Sequence, residues 1–354
     1  VQKHLKAEQF SDIYDLQKEI QNGSFSTVWE GVRRNQLIST NSEEMEIVDS
    51  QPYAIKVVDR VNLRPKDDAA VLNEVAILQS LRHPKYIVTL NDFFEEKDKF
   101  YIVMELMSGG DVFDRIVKRK QYSELDARNL ARILLKAMDH IHSHKVAHRD
   151  LKPQNLLLFD DNDDYHIKVA DFGFAKRVHT PNSLTTRCGT PTYVAPEIIK
   201  NHPYDERSDM WSVGVIIYVL LVGYPPFLED DQKVLFKNIR NGSYEFYDED
   251  WESISPDAQE LIRNMLVVDP TKRMCARGAL RSKWIQQEDE DSLNSVDLRG
   301  SLSSLRKYQI RMKMKAAVHA ISWVSRRGRS SLFSLPKSEK KLHISRLNAS
   351  AEES

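Results

Sequence analysis

The stretch Val146-Ala147-His148-Arg149-Asp150-Leu151-Lys152-Pro153-Gln154-Asn155 decides how the rest of the sequence is interpreted. Asp150 can accept a proton from a hydroxyl group, and Lys152 can neutralise a phosphate. Asn155 can hold a cation. Phosphoryl transfer requires these three functions together. Taken alone, the stretch is also compatible with a polar loop whose charges are solvated, so the remainder of the chain has to distinguish the two interpretations.

The 354 residues are 41% hydrophobic and 29% charged, which is typical of a globular protein with one large bilobed domain, or two domains, and tails. The formal net charge of −1 argues against a nucleic-acid binder. With only two cysteines, Cys188 and Cys275, a reducing compartment is favoured over a disulfide framework. The apolar run Val213 to Val222 is too short for a membrane span and predicts a buried helix. No signal peptide is evident, so we expect a cytoplasmic location, with which access to the nucleus is compatible. We also expect a monomer.

The N-terminal part begins with a polar tail, residues 1–9, and then becomes strand-like. The segment Ile20-Gln21-Asn22-Gly23-Ser24-Phe25-Ser26-Thr27-Val28 predicts a turn between two strands. Small residues in such a turn allow backbone N–H groups to approach phosphate oxygens. Gly23 is present, but Gln21 and Ser26 stand where glycines are expected, so an ordinary hairpin turn is the simpler alternative.

A predicted buried strand, Tyr53 to Val58, follows a polar, acidic loop, Asn35 to Pro52, and contains Lys56. A buried lysine requires an anionic partner to keep its charge. The next segment, Ala69 to Leu81, has helical spacing and places Glu74 beside an apolar stripe, where it could pair with Lys56. The alternative is that Lys56 points to solvent from an edge strand.

Two short predicted strands, Ile87 to Leu90 and Phe100 to Met104, lead to Ser108-Gly109-Gly110, which we interpret as a domain boundary. Beyond it, Val112 to Lys120 and Glu124 to His144 show helical spacing. The chain therefore changes from strand-rich to helical at this boundary.

The acidic run Asp160-Asp161-Asn162-Asp163-Asp164 fails as a calcium-binding loop. The sixth position of such a loop requires glycine and the twelfth a bidentate glutamate, but Tyr165 and Asp171 stand there. We interpret the run as a solvated hairpin turn. It precedes a predicted strand, Ile167 to Ala170, and the tripeptide Asp171-Phe172-Gly173.

Five elements of the sequence have the order and spacing seen in protein kinases: Lys56, Glu74, His148-Arg149-Asp150 to Asn155, Asp171-Phe172-Gly173 and Ala195-Pro196-Glu197. Such an ordered set is far more specific than any single motif. The sequence thus resembles a protein kinase over residues 10–285. The resemblance implies an α+β, bilobed fold, with a small β-rich N-lobe (10–107), a larger, mainly helical C-lobe (108–285), and ATP between them.

Within this family the sequence is similar to the calcium/calmodulin-dependent group, and to its monomeric type I-like members. This similarity is carried by Ser108-Gly109-Gly110-Asp111-Val112-Phe113-Asp114-Arg115-Ile116, Cys188-Gly189-Thr190-Pro191, Gly223-Tyr224-Pro225-Pro226-Phe227 and Asp269-Pro270-Thr271-Lys272-Arg273. The similarity implies phosphorylation of serine or threonine in protein substrates.

The resemblance also implies a role for each residue of the opening stretch. Asp150 would be the catalytic base, and Lys152 would steady the transferring phosphoryl group. Asn155 and Asp171 would hold Mg²⁺, which neutralises charge on the phosphates.

The resemblance implies that residues of both lobes surround the nucleotide. Lys56, held by Glu74, would contact the α- and β-phosphates. Glu197 would pair with Arg273 as a structural support. The other residues implied to surround ATP are Ile20, Gln21, Asn22, Gly23, Ser24, Phe25, Ser26, Val28, Ala54, Met104, Glu105, Met107, Asp111 and Leu157.

Several positions depart from the family pattern. Gln21 and Ser26 make the phosphate lid less rich in glycine, which affects the strength of ATP binding. Gln154 stands where many relatives carry a glutamate that helps to recognise a basic substrate residue, and Thr192 replaces a common glycine. Asp111 remains acidic, so we expect selection of a basic residue a few positions before the phosphoacceptor.

Thr186 matches the activation-loop phosphosite of this group and lies in the polar span Thr180 to Cys188. A phosphate on Thr186 would carry nearly two negative charges and could pair with Arg149, thereby ordering the loop. This implies an upstream activating kinase. The alternative is an unmodified, solvated threonine.

The segment 286–329 follows the kinase domain and is implied to be autoinhibitory and to bind calcium-loaded calmodulin. Its apolar residues fall on one helical face: Ile310, Met314, Val318, Ile321 and Val324. Basic residues surround this face, so a membrane-surface helix or plain packing is the alternative. Residues 330–354 are polar, and we expect them to be disordered.

A competing hypothesis is a pseudokinase, a scaffold that binds nucleotide or partners without transferring phosphate. The weakened phosphate lid supports it, whereas the intact catalytic and metal positions oppose it. Tyrosine specificity is disfavoured, because Lys152 and the neighbourhood of Thr190 suit shorter hydroxyl residues in the family pattern.

Overall fold

A computed structural model describes residues 9–23, 26–34, 51–61, 63–83 and 85–314. Several predictions fall outside these residues: the N-terminal tail up to residue 8, Ser24 and Phe25, the loop over 35–50, Val318, Ile321 and Val324, and the tail 330–354. The described residues form a sheet-rich lobe and a larger helical lobe, which confirms the predicted bilobed α+β fold.

The small lobe is built on a five-stranded antiparallel sheet with strand order β1-β2-β3-β5-β4. Its elements are α1 (Phe10–Ile13), β1 (Tyr14–Asn22), β2 (Ser26–Arg33), β3 (Pro52–Asp59), α2 (Pro65–Ser80), β4 (Leu90–Glu95) and β5 (Lys99–Glu105). Strand β3 lies in the interior of the sheet, so every residue on it has neighbours on both sides.

An apolar cluster covers one face of this sheet. Its buried members are Phe10, Tyr14, Tyr53, Ile55 and Val103. The ring of Phe10 stacks on that of Tyr101 with 3.9 Å between centroids. Because successive side chains of a strand point to opposite faces, Ala54 and Lys56 of β3 point away from this cluster. The strand therefore presents Lys56 to α2.

Helix α2 begins four residues before the predicted start at Ala69. Pro65 occupies its first turn, where the missing N–H costs nothing, and Asp67 and Asp68 place negative charge at the positive end of the helix dipole. The prediction relied on apolar spacing, and this first turn is polar. The capping signals were the better guide to the helix start.

The large lobe is mainly helical, with two short antiparallel pairs, β6 with β9 and β7 with β8. Its elements are α3 (Val112–Ile116), α4 (Glu124–Ser143), β6 (Val146–Ala147), β7 (Leu156–Leu158), β8 (Ile167–Val169), β9 (Lys176–Arg177), α5 (Pro196–Ile199), α6 (Arg207–Val222), α7 (Gln232–Asn241), α8 (Asp248–Trp251), α9 (Pro256–Met265), α10 (Ala276–Ala279), α11 (Lys283–Gln286), α12 (Glu290–Ser295) and α13, described over residues 299–314.

Helix α3 ends at Ile116, before the predicted end at Lys120. The N–H groups of Lys118 and Arg119 bond three positions back, so the chain tightens and leaves the α-helix. Arg115 and Arg119 then bind aspartates of the acidic turn between β7 and β8. The hairpin predicted from the acidic run is present, but two of its carboxylates are paired rather than simply solvated.

Helix α6 is the buried axis of the large lobe, as predicted from its apolar run. Its backbone lies close to α9: a Cβ on Gly214 would come within 2.9 Å of the Cβ of Met265. Gly223 ends the helix in the left-handed conformation, which favours glycine. Within the described residues, no helix has the length and hydropathy needed to cross a membrane.

The predicted pair Glu197 and Arg273 is present and buried. The guanidinium donates two hydrogen bonds to the carboxylate, at 2.7 and 2.9 Å, and further ones to the carbonyls of Val267 and Arg207. A fully hydrogen-bonded pair of this kind compensates the desolvation of both charges. It fixes α5, and with it the end of the activation loop, to the base of α6.

Candidate active site

Residues 148–155, called the catalytic loop after the role that the resemblance implies, lie between β6 and β7. A buried carboxylate of α6 holds this loop in place. Asp209 accepts the backbone N–H groups of His148 and Arg149, each at 2.8 Å, and lies 3.0 Å from His142 Nε2. These bonds support Arg149 at φ 70°, a left-handed conformation that costs a non-glycine residue energy. Sequence reasoning missed Asp209, although an acidic residue in an otherwise apolar helix was an available signal.

The pKa of Asp209 lies below its usual value. Burial alone would raise it, but the hydrogen bond and charge of His142, the charge of His148 and the N–H of Arg149 outweigh burial. Asp209 is thus a stable anion that anchors the loop.

Asp150 is buried at the centre of this loop. One carboxylate oxygen accepts Lys152 Nζ at 2.6 Å, and the other accepts the Thr190 hydroxyl at 2.9 Å. Asn155 donates its amide N–H to the backbone carbonyl of Asp150 at 2.8 Å. The carboxylate is therefore oriented from two sides, as a group that has to meet a substrate hydroxyl requires. Thr190 was predicted only as part of the substrate neighbourhood, and its contact with Asp150 is new.

Asn155 and Asp171 provide the oxygen donors for the predicted metal site. The Asn155 amide N–H is used by Asp150, which leaves its carbonyl oxygen as a donor for a cation. The backbone of Asn155 accepts the N–H of Ala170 at 2.9 Å, and this bond ties the loop to the residue before Asp171. Amide and carboxylate oxygens are hard ligands that suit Mg²⁺, so the residues present fit this ion.

Lys56 is paired as predicted. Its ammonium group donates to both carboxylate oxygens of Glu74, at 2.8 and 3.0 Å. The edge-strand alternative is wrong, because β3 is interior and the Lys56 side chain is only 18% exposed. Burial alone would lower the pKa of Lys56, but the charges of Glu74 and Asp171 outweigh it and raise the pKa. Lys56 is therefore a fixed cation.

The side chains of Lys56, Glu74 and Asp171 converge at Gly173. A Cβ on Gly173 would lie 3.2 Å from an oxygen of Asp171, 3.6 Å from one of Glu74 and 3.9 Å from Lys56 Nζ. The structure therefore joins the small-lobe ion pair to the predicted metal ligand of the large lobe. This convergence fits a site that receives the phosphates of a nucleotide together with a cation.

The predicted phosphate lid is a β-hairpin. Gly23 donates its N–H to the carbonyl of Ser26 at 2.8 Å and closes the turn between β1 and β2. The side chains of Ile20, Gln21 and Asn22 are exposed. The sheet register pairs Val28 with Lys56 and Ala54 with Met104, so these four side chains share the face of the sheet that bears the ion pair. They form the roof of the candidate nucleotide site.

Glu105 lies in the segment that joins the lobes, and its side chain is not free to contact a nucleotide as the resemblance implied. Its carboxylate binds Lys168 Nζ at 2.6 and 2.7 Å and accepts the N–H of Thr89 at 2.5 Å. Lys168 is buried and requires this counterion. The carboxylate of Glu105 is therefore occupied and does not face the candidate nucleotide site. Sequence reasoning missed Lys168, because no local motif links β8 to β5.

The remaining predicted nucleotide residues follow this segment. The side chain of Asp111 caps α3 by accepting the N–H of Asp114 at 2.9 Å. The backbone of Asp111 forms an isolated antiparallel β-bridge with Leu157 of β7. Leu157 is half-buried between two buried leucines and points to the opposite side of β7 from them. Met107 immediately precedes the large lobe and is half-buried. That Leu157 and Met107 contact the nucleotide stays a prediction.

Thr186 is exposed and connected to the catalytic loop through Tyr204. The Tyr204 hydroxyl donates to the carbonyl of Thr186 at 2.6 Å and accepts from Arg149 Nη1 at 3.1 Å. Arg149 Nε donates to the carbonyl of Phe174 at 2.6 Å. Arg149 therefore contacts both ends of the activation loop, at Phe174 and, through Tyr204, at Thr186.

The family assignment rests on a comparison of the whole sequence. The protein kinase domain family matches residues 14–285. The chain belongs to the protein kinase family. The match includes all of the predicted catalytic, nucleotide and metal positions.

Similar proteins come from the group that the motifs indicated. A calcium/calmodulin-dependent protein kinase type II of Caenorhabditis briggsae is 37% identical over 317 residues, which are 90% of this chain and 57% of that protein. The human type 1B kinase is 39% identical over 325 residues, 92% of this chain and 89% of that protein. Myosin light chain kinase A of Dictyostelium discoideum is 39% identical over 285 residues, 80% of this chain and 91% of that protein.

These relatives confirm the predicted resemblance to calcium/calmodulin-dependent kinases. The chain spans about half the length of the type II kinases of two Caenorhabditis species, 57% and 42%. The kinase family itself implies the use of ATP. The domain limits of 10–285 and the boundary near residue 107 stay predictions.

The Glu105–Lys168 pair predicts a specific pattern of stability. We expect Lys168→Met to lower the free energy of unfolding by about 3–5 kcal/mol, because a buried carboxylate loses its counterion. Adding Glu105→Gln should restore most of this loss, since the amide oxygen can still accept the Thr89 N–H. Urea unfolding of both variants measures the difference. Equal instability of the single and double variants would contradict the ion pair as the cause.

Proposed function

We propose that this chain is an ATP-dependent protein kinase that transfers the γ-phosphoryl group to serine or threonine hydroxyls of protein substrates. The observation that carries the proposal is the placement of Asp150. Its carboxylate is held by Lys152 and Thr190, and its backbone is bonded to Asn155. A buried, doubly oriented base beside oxygen donors for a cation suits in-line phosphoryl transfer.

In the proposed reaction, Asp150 accepts the proton of the substrate hydroxyl while the hydroxyl oxygen forms a bond to the γ-phosphorus. The bond from this phosphorus to the bridging oxygen breaks, and ADP leaves. Lys152, 2.6 Å from Asp150, neutralises charge on the transferring group. Asn155 and Asp171 would hold Mg²⁺. When bound, Mg²⁺ neutralises phosphate charge.

Nucleotide binding would use the roof of the small lobe and the Lys56–Glu74 pair. Glu74 fixes the ammonium group of Lys56, which then faces the α- and β-phosphates as a point charge. Backbone N–H groups of the hairpin around Gly23 would cover the phosphates. Gln21 and Ser26 supply the same N–H groups as glycines but restrict how closely the backbone can approach.

Substrate selection would be basic-directed. Asp114 and Asp230 are exposed or half-buried carboxylates on the large lobe, and α13 of the chain itself places Lys313 and Arg311 on them. A substrate with basic residues before its phosphoacceptor could use the same acids. Gln154 is exposed beside the catalytic loop, and its neutral amide offers no charge to a basic residue.

We also propose that α13 begins an autoinhibitory segment. Its buried side chains Leu302, Leu305 and Tyr308 pack on the large lobe. The Tyr308 hydroxyl lies 3.2 Å from that of Tyr193, in the loop that follows Thr190. The segment thereby reaches the region where a substrate would lie beside the catalytic loop.

The opposite face of α13 supports calmodulin as the partner that releases it. Ile310 and Met314, the first two members of the predicted apolar series, are 54% and 64% exposed while the helix is docked. A basic helix with exposed bulky anchors is the pattern that calmodulin recognises. Calcium control would then act through this partner.

Phosphorylation of Thr186 is proposed as a second control. Its hydroxyl is exposed, and Arg149 lies one residue away through Tyr204. A phosphate there could replace neutral contacts with charge-assisted hydrogen bonds to Arg149 and so order the loop. Because Arg149 directly precedes Asp150, this order would extend to the base.

Substitution of the base separates a kinase from a pseudokinase. Asp150→Asn should lower phosphate transfer to a serine peptide with a preceding basic residue by about 10²–10⁴-fold, because the proton acceptor is lost. The matched control, Asp161→Asn in the exposed acidic turn, should retain activity. Transfer of radiolabelled phosphate, with calcium-loaded calmodulin present to release α13, measures both. Wild-type transfer no greater than that of Asp150→Asn would favour the pseudokinase.

The two faces of α13 predict opposite phenotypes. The double variant Leu305→Ala/Tyr308→Ala should raise activity without calmodulin by at least about tenfold, since buried anchors are lost. The double variant Ile310→Ser/Met314→Ser should keep the low basal activity and weaken binding of calcium-loaded calmodulin. Activity assays and calorimetric titration measure the two effects. Micromolar or weaker binding to the unaltered chain would argue against calmodulin.

Thr186 can be tested in the same assay. We expect the chain fully phosphorylated at Thr186 to turn over about tenfold faster than Thr186→Ala, since one charge-assisted bond is enough to favour the ordered loop. The neighbouring Thr185→Ala, also at an exposed position, serves as the control. Equal turnover of the phosphorylated chain and Thr186→Ala would exclude this form of control.

A further inference from the structure

A cavity of about 560 Å³ lies on α4, near the start of the segment that leads to α13. Its lining combines basic side chains of α4 with residues 280–290. It shares no residue with the active site described above. Neither the kinase reaction nor its proposed regulation uses this cavity.

Three basic residues of α4 form one wall of the cavity: Arg128, Arg132 and Lys136. They are spaced by four, so they lie above one another on one face of the helix. Like charges at this spacing repel each other, and a helix gains nothing from such a row unless an anion lies beside it.

Arg128 is fully buried and incompletely satisfied. Its guanidinium donates to the carbonyl of Gln287 at 3.0 Å and to the carboxylate of Glu290 at 2.7 Å. Its Nε has no acceptor among the described residues. A buried donor without a partner costs about 1–3 kcal/mol, so the Gln287 carbonyl and the Glu290 carboxylate do not fully compensate the burial of Arg128.

Arg132 carries a charge that is not balanced. It donates to the carbonyl of Ile285 at 2.5 Å, but it forms no ion pair within the described part of the chain. Burial, followed by the charge of Arg128, lowers the pKa of Arg132, and Glu290 only partly opposes this. An arginine beside a second cation in a partly buried place would be stabilised by any anion that entered.

The acidic residues of the cavity do not neutralise its positive charge. Glu290 is used by Arg128, and its side chain is 59% exposed. Glu288 is the other acidic residue of the lining. Lys136 is exposed and makes no hydrogen bond or ion pair in the described ranges. Two bases, Arg132 and Lys136, therefore face one carboxylate that binds neither of them.

We propose that this cavity binds a phosphate monoester dianion, carried by a phosphorylated serine or threonine of a protein or present as free phosphate. Arg132 would supply a planar fork of N–H donors, and Lys136 a mobile ammonium group. Two negative charges match the two bases that lack an acidic partner. Leu280 adds a half-buried apolar side chain to the lining.

The test uses the full chain, with two probes: inorganic phosphate, and a short phosphoserine peptide beside its unphosphorylated form. The variants are Arg132→Gln and Lys136→Gln, which leave the buried Arg128 in place. Lys283→Gln, an exposed base outside the cavity lining, is the matched control. Isothermal titration calorimetry gives the affinities.

We expect at least about tenfold weaker binding of a probe in both cavity variants, and unchanged binding in Lys283→Gln. Binding should also weaken between pH 7.5 and 5.5, because the second pKa of a phosphate monoester is about 6. Preference for the peptide identifies a protein source, and binding of phosphate alone identifies the free ion. Wild-type affinity in the cavity variants, equal binding of the unphosphorylated peptide, or no binding of either probe would overturn the proposal.

Discussion

The hydrogen bonds from Asp209 to the catalytic loop are the constraint on which the rest of the site depends. Asp209 lies at the start of α6, the most buried helix, and accepts the N–H groups of His148 and Arg149. The left-handed turn at Arg149 that these bonds support aims Asp150 at Lys152 and Thr190. The packing of α6 thus helps to set the position of Asp150, because Asp209 ties this helix to the loop.

Charged groups of the two lobes lie close together at two levels. Lys56 and Glu74 belong to the small lobe, and their neighbour Asp171 belongs to the large one. Further toward the segment that joins the lobes, Glu105 binds Lys168. Both pairs are largely shielded from solvent, so their strength depends little on salt. The relative position of the two lobes around the candidate nucleotide site therefore depends on electrostatics as well as on the covalent connection.

Much of this arrangement could be predicted from the sequence, because the chemistry of a kinase is concentrated in short motifs. Asp150, Asn155 and Asp171 were identified through motifs that resemble those of protein kinases, and Lys56 through an unusual charge in a buried strand. The contacts of Asp209, Thr190 and Lys168 could not be predicted, since each joins segments that are far apart in sequence. Apolar spacing on α13 indicated one face through Ile310 and Met314, whereas the lobe is packed against the other, through Leu305 and Tyr308.

The docked α13 has a thermodynamic consequence for any partner that needs the whole helix. Such a partner can bind fully only to the fraction of molecules in which α13 has left the lobe, so its apparent affinity is reduced by that fraction. The contact of Tyr308 with Tyr193 and the ion pairs at Asp114 and Asp230 stabilise the docked helix, so each of them lowers this fraction. Since binding free energies are reciprocal, a substrate that competes for the same acids would increase the affinity of the partner. The helix would thereby make the chain respond to substrate and partner together.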